Sequence, residues 1–411
     1  MVSRFCALLT RRRLTAWGLG LLAISWFVYV HTMMVPGVLD RVGRVKGSDY
    51  VQFYVMGSMV REHQTASLYD PAAHLAEGRR RIDPNLQLYA AHPNYPPQVA
   101  FAFSPLAALP FTLSLDLFLV LTLAAYGVSV WIIWKECPAL AANGRLVAVL
   151  AAASPLLFTL LRYGQASAFT LLAWALAFSA LRRGWSFAAG LAVGCLAYKP
   201  QLGMVIAIVL LAARQWRVVA GAAAMVIAQL SVGVWVAGLG GLRQYVDSLL
   251  TLALNPALVQ IYPSESHSAR AFFQLLIPAP AIVTLCFVVS FVALMAVAVR
   301  SWSARVPPAI AWGQIVLVTV LASPHLISYD LVLLTFPVLV FADWAVARPD
   351  HPLRPAVAAL LVAVYFAPFS GQIVARLTNV QVSVVAMAVL AWQMYLVCRG
   401  EGRVAEPAVA S

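Results

Sequence analysis

Residues 279–300 read APAIVTLCFVVSFVALMAVAVR, an apolar run closed by its single charge, Arg300. The hydrocarbon core of a bilayer is about 30 Å thick and a helix rises about 1.5 Å per residue, so about 20 apolar residues make a crossing. The same signature recurs on both sides of this run. Upstream it appears at 14–35, 112–134, 146–161, 166–181, 185–198, 202–213 and 218–237, and downstream at 309–322, 327–346, 356–369 and 380–397. Twelve crossings are expected, to within about one. Residues 98–110 are also apolar, but short and bracketed by prolines, which suits a re-entrant or interfacial helix. The segments at 185–198, 202–213 and 309–322 are too short to span a full core, so neighbouring helices should screen them or they should line a wet cavity. Each ends near a polar cluster.

Composition agrees. Of 411 residues, 62% are hydrophobic and 10% charged, with a mean hydropathy of +0.85. Soluble domains carry about 25% charged residues, so a soluble enzyme is excluded, as are a disordered chain and a disulfide-rich secreted domain. The expected fold is an all-α polytopic membrane protein with one embedded domain over 1–411. External insertions are expected at 36–97 and 238–278, with a disordered tail at 401–411.

The net charge of +13 reads as orientation signal rather than as a nucleic-acid footprint. With the N-terminus inside, alternate loops collect Arg4, Arg11, Arg12, Arg13, Lys135, Arg145, Arg182, Arg183, Arg214, Arg217, Arg300, Arg305, Arg348, Arg354, Arg399 and Arg403. The opposite short loops hold only Arg162, Lys199, Arg243, Arg270 and Arg376. Both termini are therefore expected in the cytoplasm, with both insertions outside. The basic N-terminal run lacks a small-residue cleavage site, so the first segment should stay as an anchor. The five cysteines show no CxxC spacing and the seven histidines no HxxxH, so neither a disulfide nor a metal site is expected.

Polar residues at the outer ends of the crossings are the candidates for chemistry. Lys46-Gly47-Ser48-Asp49-Tyr50 follows the first span, and Asp49 is either a helix N-cap or a general base at the membrane–water boundary. Asp70, in Leu68-Tyr69-Asp70-Pro71, reads as a turn or helix start. Tyr95-Pro96-Pro97 is a rigid lead into the short apolar segment, with Tyr95 a candidate contact. Gln165, in Arg162-Tyr163-Gly164-Gln165, is a hydrogen-bond donor to a sugar or a cap. Lys199, in Tyr198-Lys199-Pro200-Gln201, is an ionisable residue at membrane depth that suits a lipid phosphate or else snorkels to the surface; Gln201 sits beside it. The second insertion offers Glu265, His267, Ser268 and Arg270. His325, Tyr329 and Asp330 end the series, and His325 and Asp330 are expected to face one cavity, since buried ionisable groups need partners.

In this order, the outer Asp, Leu-Tyr-Asp, Tyr-Pro-Pro, Gly-Gln, Lys-Pro-Gln and Ser-Pro-His…Tyr-Asp-Leu resemble glycosyltransferase family 87, over about residues 14–400. The resemblance implies a GT-C-like membrane fold in a cell inner membrane. It also implies inverting transfer of a hexose, mannose in several members, from a polyprenyl-phosphate sugar to a lipid or glycan acceptor at the external face, without a cofactor. It maps the base to Asp49 and brings Lys199 and His325 toward the donor phosphate and acceptor pocket. Ser48 stands before Asp49, where some relatives carry a second carboxylate.

Two other classes compete. A multi-pass transporter or flippase would match the number of crossings, and Gly37, Asp40-Arg41 and Gly43-Arg44 echo a transporter motif. That echo is one residue short, and it lies outside after the first crossing rather than inside after the second. A non-catalytic assembly partner would leave the outer polar residues scattered.

Overall fold

The computed structural model describes residues 8–85, 93–255, 262–303 and 307–404. Among these residues the chain is helical, and the only extended pairings are two isolated bridges, Leu39 with Val45 and Ser266 with Ile327. The chain is a polytopic helical membrane protein. Six helices have the length and apolarity of a span, or eight if two bent pairs each count as one. Four further apolar segments are shorter helices, at Ser167–Arg182, Ser186–Tyr198, Pro200–Ala212 and Pro308–Ala322.

The first insertion follows α1 (Arg11–Met33) and contains α2 (Tyr50–Arg61) and α3 (Pro71–Arg81). The stretch that echoes a transporter motif is a tight turn: Asp40 Oδ1 accepts the N–H groups of Val42 at 3.0 Å and Arg44 at 2.8 Å. The short apolar segment becomes α4 (Pro97–Phe103) and a 3₁₀ turn at Leu106–Ala108, too short to cross. It packs closely on α2, where a Cβ added at Gly57 would lie 2.8 Å from the Phe103 carbonyl. Next come α5 (Phe111–Lys135), α6 (Gly144–Ala152) and α7 (Pro155–Tyr163). The run at 146–161 is divided between α6 and α7, one of the two bent pairs that can each count as one span. The chain bends by 40° at Pro155, whose missing N–H and ring do not fit a helix interior.

The short helices α8 (Ser167–Arg182), α9 (Ser186–Gly194) and α10 (Pro200–Ala212) precede α11 (Trp216–Leu254). Helices α9 and α11 cross with their backbones nearly touching. A Cβ at Gly190 would meet the Val218 carbonyl at 2.0 Å, and one at Gly221 the Phe187 carbonyl at 2.2 Å, so only glycine fits at either position. Gly238 kinks α11 at φ 67°, ψ 176° and the helix then resumes. The expected second loop, 238–278, is thus helical at its start. The part of α11 beyond the kink leans over the first insertion, Ser248 Oγ donating to the Pro93 carbonyl at 2.7 Å.

The remaining helices are α12 (Ala269–Leu276), α13 (Pro280–Ser303), α14 (Pro308–Ala322), α15 (Thr335–Ala347), α16 (Arg354–Tyr365), α17 (Ala367–Thr378) and α18 (Val382–Val404). The expected tail at 401–411 begins inside α18, and 405–411 lie outside the described residues. Helix α14 is buried at every residue from 310 to 322, surrounded by protein rather than lipid. That environment removes the need for a full 20-residue span. Trp174, Phe178, Trp312, Phe336, Phe341 and Trp344 form the large core around it. A second, aromatic core joins α2, α4 and the start of α5 through Tyr50, Phe53, Val99, Phe111 and Phe118.

Candidate active site

The site grows from two glycine turns. Tyr50 is fully buried, stacked on Phe118 at 4.8 Å and hydrogen-bonded to Ser114 Oγ at 2.6 Å, which pins the start of α2. Just ahead of it Gly47 has φ +58°, and α7 ends at Gly164 with φ +66°. Only glycine adopts this left-handed conformation without cost. A Cβ on Gly164 would lie 2.8 Å from Tyr50 Cβ and 3.1 Å from Gly47 Cα. The close approach lets the Asp49 N–H donate to the Tyr163 carbonyl at 3.0 Å.

Asp49 occupies the N-cap position of α2, yet its side chain makes no cap hydrogen bond. Its Oδ2 accepts from Gln165 Nε2 at 2.9 Å and its Oδ1 from Ser48 Oγ at 3.2 Å, and Tyr329 stands close to this carboxylate. Gln165 is locked from behind. Its Oε1 accepts from the Tyr95 hydroxyl at 3.2 Å, the Ala166 N–H at 3.2 Å and Lys199 Nζ at 3.4 Å. Lys199 in turn pairs with Asp330 Oδ1 at 2.8 Å, donates to Ser167 Oγ at 3.0 Å and lies 5.1 Å from the Tyr329 ring centre. Pro200 explains why Lys199 sits at a helix break: it biases its predecessor toward extended backbone, so α10 restarts there. Tyr198 secures the break by donating to the Ala166 carbonyl at 3.0 Å.

Burial sets the electrostatics. Lys199 and Asp330 are each 4% exposed and satisfy one another's charge. Asp49 is half-buried, and Ser48, which donates to its Oδ1, is exposed. Desolvation raises its carboxyl above the ordinary value, and this outweighs the opposing hydrogen bonds from Gln165 and Ser48 and the charge of Lys199. A carboxylate raised in this way is a stronger base near neutral pH.

Six expected residues thus meet in one cluster: Asp49, Tyr95, Gln165, Lys199, Tyr329 and Asp330. Three others stand apart from it. His325 and Asp330 do not face one another as expected. The 3₁₀ turn at Ser328–Leu334 carries Asp330 inward to Lys199, while His325 lies outside the turn at the surface. Arg270 Nη1 lies 3.5 Å from His325 Nε2. Partial desolvation and then the Arg270 charge lower the His325 pKa, which favours the neutral ring. Gln201 is half-buried on the first turn of α10 and outside the hydrogen-bonded cluster. Ser167, which sequence reasoning passed over, is fully buried between Lys199 and Asp330. A serine opening an apolar helix carries no signal that separates it from an ordinary cap.

A family model described as glycosyltransferase family 87 matches residues 94–324, more than half of the chain. The chain belongs to that family. It is therefore a membrane glycosyltransferase, and the family match sets the transporter and assembly-partner readings aside. The family 87 match contains Tyr95, Gln165, Ser167, Lys199 and Gln201. Asp49 precedes it, while His325, Tyr329 and Asp330 follow it. The hydrogen bond from Gln165 ties Asp49 to the matched region. No curated protein and no solved structure matches the chain.

Proposed function

We propose that this family 87 glycosyltransferase moves a hexose, mannose by family resemblance, from a polyprenyl-phosphate sugar to an acceptor hydroxyl, with inversion and with Asp49 as general base. The observation that carries this reading is the Asp49 carboxylate, which caps nothing and instead converges with Gln165 and Tyr329 at the solvent-facing edge of the cluster. In the reaction Asp49 takes the proton of the acceptor hydroxyl as its oxygen attacks the anomeric carbon. The bond to the lipid phosphate breaks on the opposite side of the sugar. One carboxylate suffices, because phosphate is a competent leaving group.

Lys199 is committed to Asp330, so Arg270 beside His325 is the better ligand for the donor phosphate. Arginine pairs well with phosphate oxygens, and a neutral imidazole supplies one further donor. Gln201 and Tyr329 are left to contact the sugar or the lipid.

In this reading all twelve apolar segments cross an inner membrane, both termini are cytoplasmic and the site is external. Contacts between loops support the alternation. On the outer side Arg376 bonds Glu265 at 2.7 Å and the His267 N–H bonds the Leu326 carbonyl at 2.9 Å. On the opposite side Arg182 bonds Glu136 at 3.2 Å and the Leu140 N–H bonds Asp343 at 3.0 Å. The test is release of lipid phosphate by the purified protein from a panel of polyprenyl-phosphate hexoses. Full transfer by Asp49→Asn would remove Asp49 as the base.

A further inference from the structure

The amide of Gln165 is held at both its oxygen and its nitrogen. Its oxygen receives three donors, from Tyr95, Lys199 and the Ala166 N–H, and its nitrogen donates to Asp49. An amide oxygen only accepts and an amide nitrogen only donates. Reversing this side chain would set the NH2 group against an ammonium, a hydroxyl and an N–H, and the carbonyl against a carboxylate. Only one orientation is consistent with its neighbours. With 3% of its surface exposed, Gln165 is sealed from a sugar.

We propose that Gln165 is the positioning residue of the base: locked from behind by Tyr95 and Lys199, it holds Oδ2 of Asp49 so that Oδ1 stays on the solvent-facing Ser48 side. The proposal rests on Asp49 acting as the base in the transfer described above. It replaces a sugar-contact role for Gln165 and gives the Lys199–Asp330 pair a function. Donors run in line from that pair: Lys199 serves both Asp330 and Gln165, and Gln165 serves Asp49. A hydrogen bond to one oxygen disfavours rotation of the carboxylate, and misplacing a catalytic group by about 1 Å costs roughly a hundredfold in rate.

Other charged and titratable groups bear on Asp49 from each element packed on it. Lys199 acts from the break before α10 and Tyr329 from the turn before α15. Tyr95 stands before α4, and Tyr163 ends α7, where Arg44, Arg162 and Glu265 also act on it.

The test uses the full chain in membranes, with polyprenyl-phosphate mannose as donor probe and two readouts. One is the pH profile of transfer. The other is carbodiimide modification of Asp49, followed by mass spectrometry across pH, which reports protonation without substrate. Gln165→Glu sets a second carboxylate against Asp49. The modification midpoint and the acid limb of transfer should both rise by about one pH unit or more. At neutral pH kcat should fall about tenfold or more with the donor KM unchanged. Gln165→Leu should lower kcat about a hundredfold at constant KM. Tyr95→Phe, which removes one lock without adding charge, should give a smaller loss in kcat alone and covers the case in which a Gln165 variant does not fold.

An unmoved midpoint and acid limb in Gln165→Glu would overturn the proposal. So would a rise in KM with kcat and pH profile intact, which marks a sugar contact. If Gln165→Glu moves the Asp49 midpoint while the wild-type protein transfers no hexose from this donor, the proposed reaction falls and the hold of Gln165 on Asp49 stands.

Discussion

Asp70 and Asp49 each stand one residue ahead of a helix in the first insertion. Asp70 has extended backbone, φ −89° and ψ 114°, and its Oδ1 accepts the Ala72 N–H at 2.9 Å. Asp49 has helical backbone, φ −86° and ψ −22°, and caps nothing. The extended geometry brings a cap side chain over the first turn's donors, and the helical one turns it away. Asp49 is held in the helical form because its own N–H is committed to Tyr163 across the contact between Gly47 and Gly164. One aspartate is used up by its own helix. The other is withheld from its helix and delivered to a cluster drawn from four distant stretches of chain.

The largest test of this contrast is chemical. Asp49→Asn should lower transfer by about 10²–10⁴, the usual worth of a general base, while Asp70→Asn should leave transfer within about twofold in the same membrane assay. Next comes the pair behind Gln165. Lys199→Met strands the buried Asp330 carboxylate and should cost about 3–5 kcal/mol in detergent thermal unfolding, most of it recovered by adding Asp330→Leu. Gly164→Ala should cost about 1–2 kcal/mol for the left-handed backbone alone and more for the clash with Tyr50, with transfer falling as the turn shifts. Gly184→Ala, at φ +76° with open space around it, should show only the backbone part.

The pH profile sharpens the contrast further. Asp49 works ionised and its carboxyl is raised, so transfer should be present at neutral pH and fade, as pH drops, above the ordinary carboxylate range. An exposed aspartate would fade only within that range. Smallest of all, Asp70→Ala should cost about 1 kcal/mol of stability and leave the pH profile of transfer unmoved.

Much of this molecule is legible in one dimension. Each of the twelve apolar runs is helical, because backbone polar groups in a bilayer must bond within their own segment. Residues 49, 95, 165, 199, 329 and 330 can be picked out because polar groups at the ends of apolar runs are few. Their pairing cannot. In sequence Lys199 stands ready for a phosphate; in the fold Asp330 reaches it first, from 131 positions away. His325 and Asp330 look like partners because ionisable groups buried in a membrane need pairing, yet a 3₁₀ turn carries Asp330 away from His325. The kink at Gly238 is likewise hidden, since a glycine within an apolar run reads as an ordinary packing position or as the end of a span.

Apolar run length and the placement of Arg and Lys determined on their own that this chain lies in a membrane as many helices, because hydrophobic transfer and backbone satisfaction act locally along the chain. Which aspartate is spent on its helix, which lysine is neutralised and which glutamine faces the carboxylate were decided only by tertiary structure. Hydrogen bonds and ion pairs act over about 3 Å, and only packing at Gly47, Gly164 and Pro200 brings those atoms within that reach.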